Sequence, residues 1–140
     1  MEKDCIFCKI VHGDIPANKI YEDDEVLAFL DISQTTVGHA LVVSKAHHDN
    51  FLATPKETMH AVMDVAQRIG QAQIKRLGAL GVNILSNCYR EAGQTVMHFH
   101  VHVIPRYEIS DGFKLEMKRN ENLGDLNLPS VASSISKGLK

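Results

Sequence analysis

The run His98-Phe-His-Val-His-Val-Ile104 constrains this chain more than any other stretch, because it alternates imidazoles with apolar, β-favouring residues. Side chains of a strand point to opposite faces in turn. His98, His100 and His102 are therefore expected on one face, and Phe99, Val101 and Val103 on a face packed into a core. Imidazoles two residues apart lie about 6–7 Å from each other along such a strand. The run is interior and its second face is apolar, unlike a contiguous, terminal histidine tag. An ordinary imidazole pKa of about 6.5 keeps neutral and protonated rings both accessible near neutrality, so one ring can attack while another donates. Pro105 is expected to close the strand.

The flanking sequence supplies the rest of a sheet. Lys19–Glu22 and Glu25–Leu30 read as two strands joined at Asp23-Asp24, and Ala40–Ser44 as a buried strand. Thr54-Pro-Lys-Glu57 has the capping-box pattern, with Thr54 at the N-cap and Pro55 at the first helical position. Val62, Val65, Ala66, Ile69, Ala72, Gln73 and Leu77 then repeat at three-and-four spacing, which predicts one long helix that Gly78 and Gly81 end. Met59 and Met63 should line the core and His60 the helix surface. Val82–Asn87 reads as a strand antiparallel to the histidine strand, and Cys88 as a buried small hydrophobe. Residues 120–128 read as loop, and Pro129 begins a short terminal helix through Leu139. Together these elements predict an α+β domain with an antiparallel sheet of about five strands, one long helix and short terminal helices.

At 140 residues and 44% hydrophobic, the chain suits a single domain over residues 1–140, with a core at about 5–107 and an extension at about 108–140. A formal charge of −2 argues against a protein that holds nucleic acid by neutralising phosphates. No apolar run is long enough to span a membrane, and the charged start leads into no signal-peptide core. Three cysteines suit a reducing, cytoplasmic setting. Cys5 and Cys8 form a Cys-x-x-Cys pair, but no strand precedes it as a thioredoxin-like motif requires. Half of a metal site and two plain thiols remain as readings.

The triple histidine with Val103 and Ile104 after it is one of several ordered segments. The others are Cys5-Ile-Phe-Cys-Lys-Ile10, Tyr21-Glu-Asp-Asp24, Leu27–Ile32, Gly38–Val43, Asn87 and Ala92-Gly-Gln-Thr95. Together they resemble the histidine-triad family of nucleotide hydrolases and transferases. The resemblance makes His100 the nucleophile at the α-phosphate of a purine nucleotide. A covalent nucleotidyl-histidine forms, and water releases the nucleoside monophosphate. It makes His102 a donor to the phosphate or leaving group, Thr95 the hydroxyl beside the scissile bond, and His39 a support for the triad. Asn87, Gly93 and Gln94 match phosphate-contacting positions. Ile6, Phe7, Ile10, Phe29 and Ile32 match the base pocket, and Asp31 the carboxylate that accepts from both ribose hydroxyls.

The same resemblance suggests a structural zinc held by Cys5, Cys8, His47 and His98, with His48 left exposed and no metal needed for the chemical step. His98 has a competing role as a buttress of the active site. A homodimer is implied too. Among the branches of the family, purine nucleoside phosphoramidases of the Hint type come first and dinucleoside polyphosphate hydrolases of the Fhit type second. A nucleotide-binding adaptor without turnover is the non-enzymatic alternative. The absence of any Trp sets the chain apart from Hint proteins with a tryptophan-containing tail.

Overall fold

The computed structural model describes residues 2–139; Met1 and Lys140, the ends of the expected domain, lie outside the described residues. The elements in chain order are α1 (Ile6–His12), β1 (Lys19–Glu22), β2 (Val26–Leu30), β3 (Ala40–Ser44), α2 (Lys56–Leu77), β4 (Gly81–Leu85), β5 (His100–Arg106) and α3 (Leu128–Gly138). The five strands form one antiparallel sheet in the order β1-β2-β3-β5-β4, so the histidine strand is interior, paired on both sides by β3 and β4. This is the α+β architecture expected, with one long helix. No helix among the described residues is long and apolar enough to cross a membrane.

Strand alternation sorts the core into two layers. Val26, Ala28, Val42, Phe99, Val101 and Val103 pack with Val62, Val65, Ala66 and Ile69 of α2. The opposite face, Leu27, Phe29, Leu41 and Val43, packs with Phe7, Cys8 and Ile10 of α1. Burial on both faces explains why β2 and β3 read as continuous apolar runs rather than alternating ones. His100 and His102 alternate with Val101 and Val103, so they share the face that α1 partly covers. That choice of face places the site.

Several local expectations are corrected. The expected capping box does not form: Pro55 is the N-cap of α2 without a side-chain cap, and the Thr54 hydroxyl donates to the Asn50 carbonyl at 2.7 Å. Pro55 holds Thr54 in the extended region, and the Asn50 carbonyl is the acceptor within reach. Ala72 and Leu77 are exposed, whereas Gln73 is buried and its amide donates to Gly38 and Val103 carbonyls. Pro105 lies within β5 rather than closing it. β3 begins at Ala40 opposite Val103, so Pro105 sits past the end of that ladder. β4 ends at Leu85, two residues short of Asn87, and Cys88 is half-buried rather than buried. His98 precedes β5 instead of belonging to it. His48 is half-buried, its carbonyl accepting from Phe99 N–H at 2.6 Å.

Met59 and Met63 pack against the α2 layer and His60 is exposed, as expected. Gly78 ends α2 in the left-handed conformation, at φ 74°, with its N–H on the Gln73 carbonyl. The terminal helix falls at Leu128–Gly138, and a short 3₁₀ turn at Leu123–Asp125 interrupts the expected loop.

Candidate active site

A cavity of about 310 Å³ opens on the α1 face of the sheet, at the small end of the roughly 300–1,000 Å³ typical of ligand pockets. Ile6, Phe7 and Ile10 of α1, Phe29, Asp31 and Ile32 at the end of β2, Thr95, and His100 and His102 of β5 all line it. Apolar groups thus stand at one side and imidazoles at the other. Leu30, Leu41, Ile15, Pro16, Ala17 and Val96 complete the wall; Ile15, Pro16 and Ala17 lie in the connection between α1 and β1, where apolar residues carry no periodic signal. Ile32 is 95% exposed, at the rim.

Hydrogen bonds assign the proton on each ring. His100 Nδ1 lies 2.7 Å from the His98 carbonyl oxygen, which can only accept, so Nδ1 carries the proton and Nε2 keeps its lone pair. His39 Nε2 lies 3.0 Å from His102 Nδ1, and buried His39 Nδ1 has no partner. A bare lone pair is tolerated at a buried site better than a bare N–H, so His39 Nδ1 is the acceptor nitrogen. His39 Nε2–H then donates to His102 Nδ1, and His102 carries its proton on Nε2. The His100 and His102 ring centroids are 5.1 Å apart, and the Phe7 edge meets His100 at 4.9 Å.

Burial keeps these rings neutral. It pushes His102 down to about 4, with His100 and His39 acting in the same direction and Asp31 opposing. His98 is also pushed to about 4 by burial, against the Ser44 carbonyl bond. His100 and His39 are lowered, again by burial first. Asp31 behaves oppositely: burial works to raise it, but Ser33 N–H at 2.8 Å and Ser33 hydroxyl at 2.6 Å on Oδ1 leave it below the usual carboxylate value. Its Oδ2 lies 3.8 Å from His39 Nε2. With Oδ1 held by Ser33, Oδ2 is the oxygen left for a ligand hydroxyl. Gln34, at φ 41°, fixes this corner by donating to Asp31 and His39 carbonyls and accepting from Gly38 N–H.

The loop before β5 divides the expected phosphate-contacting residues. Asn87, Gly93 and Gln94 do not line the 310 Å³ cavity, whereas Thr95 is exposed at its edge. The buried Gln94 amide is fully engaged: Oε1 accepts from Tyr89 N–H at 2.7 Å, and Nε2 donates to Asp49 and Val96 carbonyls at 2.6 and 2.9 Å. Gln94 therefore braces the loop instead of offering its amide to a ligand. Tyr89 takes φ 73°, a strained value for a side-chain-bearing residue, under that same brace. Gly93 takes φ 96°, and its carbonyl faces Asn87 Nδ2 at 3.4 Å.

Beside the histidines, Cys5, Cys8, His47 and His98 bring four donor atoms within 4.8 Å of one another, a cluster that could hold a metal ion. Nδ1 of His98 lies 3.3 Å from Cys5 Sγ and 3.6 Å from Cys8 Sγ, and His47 Nδ1 is 3.3 Å from Cys8 Sγ. His98 Nε2–H donates to the Ser44 carbonyl at 2.6 Å, which leaves Nδ1 unprotonated toward the sulfurs. His47 Nε2–H faces Asp49 Oδ1 at 3.3 Å, a carboxylate behind a potential ligand. The two readings of His98 turn out to use different atoms. Its ring faces the cysteines, and its carbonyl holds His100.

Comparison with known proteins follows the same lines. A model of the HIT domain matches residues 12–109. The Bacillus subtilis protein hit is 43% identical over 138 residues, covering 98% of this chain and 95% of that protein. The adenylylsulfatase HINT3 of Arabidopsis thaliana is 38% identical over 108 residues, 77% of this chain and 55% of that one. The crystal structure of a HIT family protein from Bacillus anthracis superposes with a TM-score of 0.91 at 43% identity, covering 100% of both chains. A Streptococcus mutans crystal structure gives 0.91 at 43% identity, over 100% of this chain and 88% of that one. A zinc-bound histidine triad protein of Mycobacterium smegmatis gives 0.72 at 41% identity, over 96% and 97%.

Proposed function

This chain belongs to the HIT-domain family, and from that premise we propose that it hydrolyses purine nucleoside phosphoramidates or related nucleotides at the α-phosphate. The observation that carries this reading is the His100 tautomer. With Nδ1–H given to the His98 carbonyl, the Nε2 lone pair is available on a ring that lines an apolar, nucleoside-sized cavity.

The base would sit among Ile6, Phe7, Ile10, Phe29 and Ile32, and Asp31 Oδ2 would accept from a ribose hydroxyl. His100 Nε2 attacks the α-phosphorus as the bond to the leaving amine breaks, giving a nucleotidyl-histidine. The nitrogen of the leaving amine takes a proton from solvent and departs as the neutral amine, and the water that attacks in the second step returns one proton to solvent. His102, whose Nδ1 accepts from His39, offers Nε2–H to a phosphate oxygen or to the leaving group. Thr95 offers a hydroxyl from the rim. Water then attacks the same phosphorus from the opposite side, releasing the nucleoside monophosphate and restoring neutral His100. The site supplies fixed donors and orientation where charge builds, which requires no reorganisation during the step.

The cluster at Cys5, Cys8, His47 and His98 fits a structural zinc. Tetrahedral Zn–S and Zn–N bonds of about 2.3 and 2.0–2.1 Å place sulfur and nitrogen about 3.5 Å apart, close to the separations found. When bound, such an ion would tie the start of α1 to His98, two residues before the catalytic strand; a closed shell of four protein ligands leaves no place for a reactive water. The protein acts in this reading as a cytoplasmic homodimer.

The test is a side-by-side kcat/KM for an adenosine phosphoramidate and a diadenosine polyphosphate, since the ratio reports transition-state preference. The phosphoramidate is expected to win. A diadenosine preference above about tenfold, ~1.4 kcal/mol, would move the assignment to the dinucleoside polyphosphate hydrolases. Adenylyl sulfate, suggested by the name of the Arabidopsis relative, belongs in the same series.

A further inference from the structure

Gln73 sits four residues after buried Ile69 in the stripe of α2 that faces the sheet, a polar side chain only 4% exposed among apolar ones. Its side-chain nitrogen donates to the carbonyls of Gly38 and Val103, both at 3.0 Å. Its side-chain oxygen is buried and has no partner among the described residues. A buried acceptor left unpaired is a cost that an apolar residue at this position would avoid. What the amide contributes is therefore its two donated bonds.

Those bonds fall beside the two supporting histidines. Gly38 is the residue before His39 and Val103 the residue after His102, and the two rings meet Nε2 to Nδ1 at 3.0 Å on the other face of the sheet. Little else orients the His39 ring. Its Nδ1 has no partner among the described residues, and its Nε2 is 3.8 Å from Asp31 Oδ2, beyond hydrogen-bond reach. The ring is placed chiefly by its backbone, which is held at every polar atom. Gly38 N–H donates to Gln34 Oε1 at 2.8 Å and His39 N–H to the Thr36 carbonyl at 3.1 Å, and the His39 carbonyl accepts from Asp31 N–H at 3.0 Å and from Gln34 Nε2 at 2.8 Å. Gln34, Thr36 and Asp31 belong to the same loop as His39. Gln73 comes from α2 and joins that loop to Val103 of β5, next to His102; the Thr36 hydroxyl makes a second tie, to the Pro105 carbonyl, further along the strand.

We infer that Gln73 is a positioning residue for the reaction: from the far side of the sheet it fixes the separation of His39 and His102, and so keeps the His102 proton on Nε2, toward the substrate. The inference rests on the proposed function, in which that Nε2–H is the donor to the phosphate or the leaving group. His39 Nε2–H holds His102 Nδ1 as an acceptor only while the rings stay within hydrogen-bond distance. A drift of roughly 1 Å between the two carbonyls that Gln73 joins would break that bond. His102 could then carry its proton on Nδ1, which leaves no donor facing the cavity.

The experiment uses the full chain. Gln73→Met keeps the length of the side chain and removes both donors, and Gln73→Leu is a second donor-free variant. With an adenosine phosphoramidate, kcat is expected to fall about tenfold, as a misplaced group brings, and KM to change less than about threefold, because the apolar wall and Asp31 are untouched. Val65→Ala loosens the same layer about two turns earlier in α2 and should leave kcat within about twofold. Imidazole ¹⁵N spectra should show His102 as a single Nε2–H tautomer in the wild type and as a mixture with the Nδ1–H form in the variants. In a His39→Ala background, Gln73→Met should cost less than about twofold more in kcat, since the contact through which it acts is already gone. A tenfold loss that persists in that background, an equal loss in Val65→Ala, or a His102 tautomer that the variants leave unchanged would overturn the inference. A wild type inert on the phosphoramidate would overturn the proposed function instead, and the His102 tautomer would then decide the inference by itself.

Discussion

The backbone carbonyl of His98 fixes the imidazole of His100, accepting its Nδ1–H at 2.7 Å, while the His98 ring turns away to face Cys5 and Cys8. One residue therefore belongs to two sites. The arrangement leaves the Nε2 lone pair of His100 free, the atom that the proposed function uses for attack.

Replacing His100 by Ala should reduce kcat/KM for an adenosine phosphoramidate by at least ~10³-fold, the scale of losing a nucleophile. Nucleotide binding should survive, because the apolar wall and Asp31 remain. Equal turnover in the variant and the wild type would favour a binding adaptor.

The pH dependence follows from burial. Folded His102 takes up a proton only near 4, whereas an imidazole of the unfolded chain does so near 6.5. Between those values the unfolded chain binds more protons, so this group's contribution is present above about 6.5 and is lost as pH falls toward 4. Thermal melts from pH 7 to 4 should show a falling Tm that is shallower in His102→Leu. Parallel declines in both proteins would contradict this. The acid limb of kcat/KM should likewise lie below the ordinary imidazole range, since burial lowers His100.

Gln94→Ala removes three hydrogen bonds from a buried brace and strands their partners, for a loss of roughly 2–4 kcal/mol in stability. Chemical denaturation measures it. A change within ~0.5 kcal/mol would show that the loop is held by something else.

Protein purified without chelator should contain about one equivalent of zinc, and Cys8→Ala should lose it, as expected of a closed four-ligand site. Less than about a tenth of an equivalent in the wild type removes the metal from the account.

What could be read from the sequence was whatever depends on spacing. Alternation along Phe99–Val103 placed the two imidazoles of β5 on one face, and the three-and-four pattern from Val62 to Gln73 located α2. Spacing could not show that His98 stops short of β5, because that depends on Phe99 N–H bonding the His48 carbonyl of a distant loop. Nor could it separate a brace from a ligand contact: Gln94 and Thr95 are neighbours, yet one is buried among backbone groups and the other stands at the rim. Family resemblance gathered Cys5, Cys8, His47 and His98, and the fold brings their donor atoms together. Ile15, Pro16 and Ala17 line the cavity from the connection between α1 and β1, which has no period to mark them.

Double displacement through His100 leaves a stereochemical signature at phosphorus. A substrate chiral at the α-phosphorus, made as a phosphorothioate and turned over in ¹⁸O-water, reports how many in-line displacements occurred. Attack by His100 followed by attack of water inverts the centre twice, so net retention is the result predicted. Net inversion would mean that water attacks the nucleotide directly and that His100 forms no bond to phosphorus.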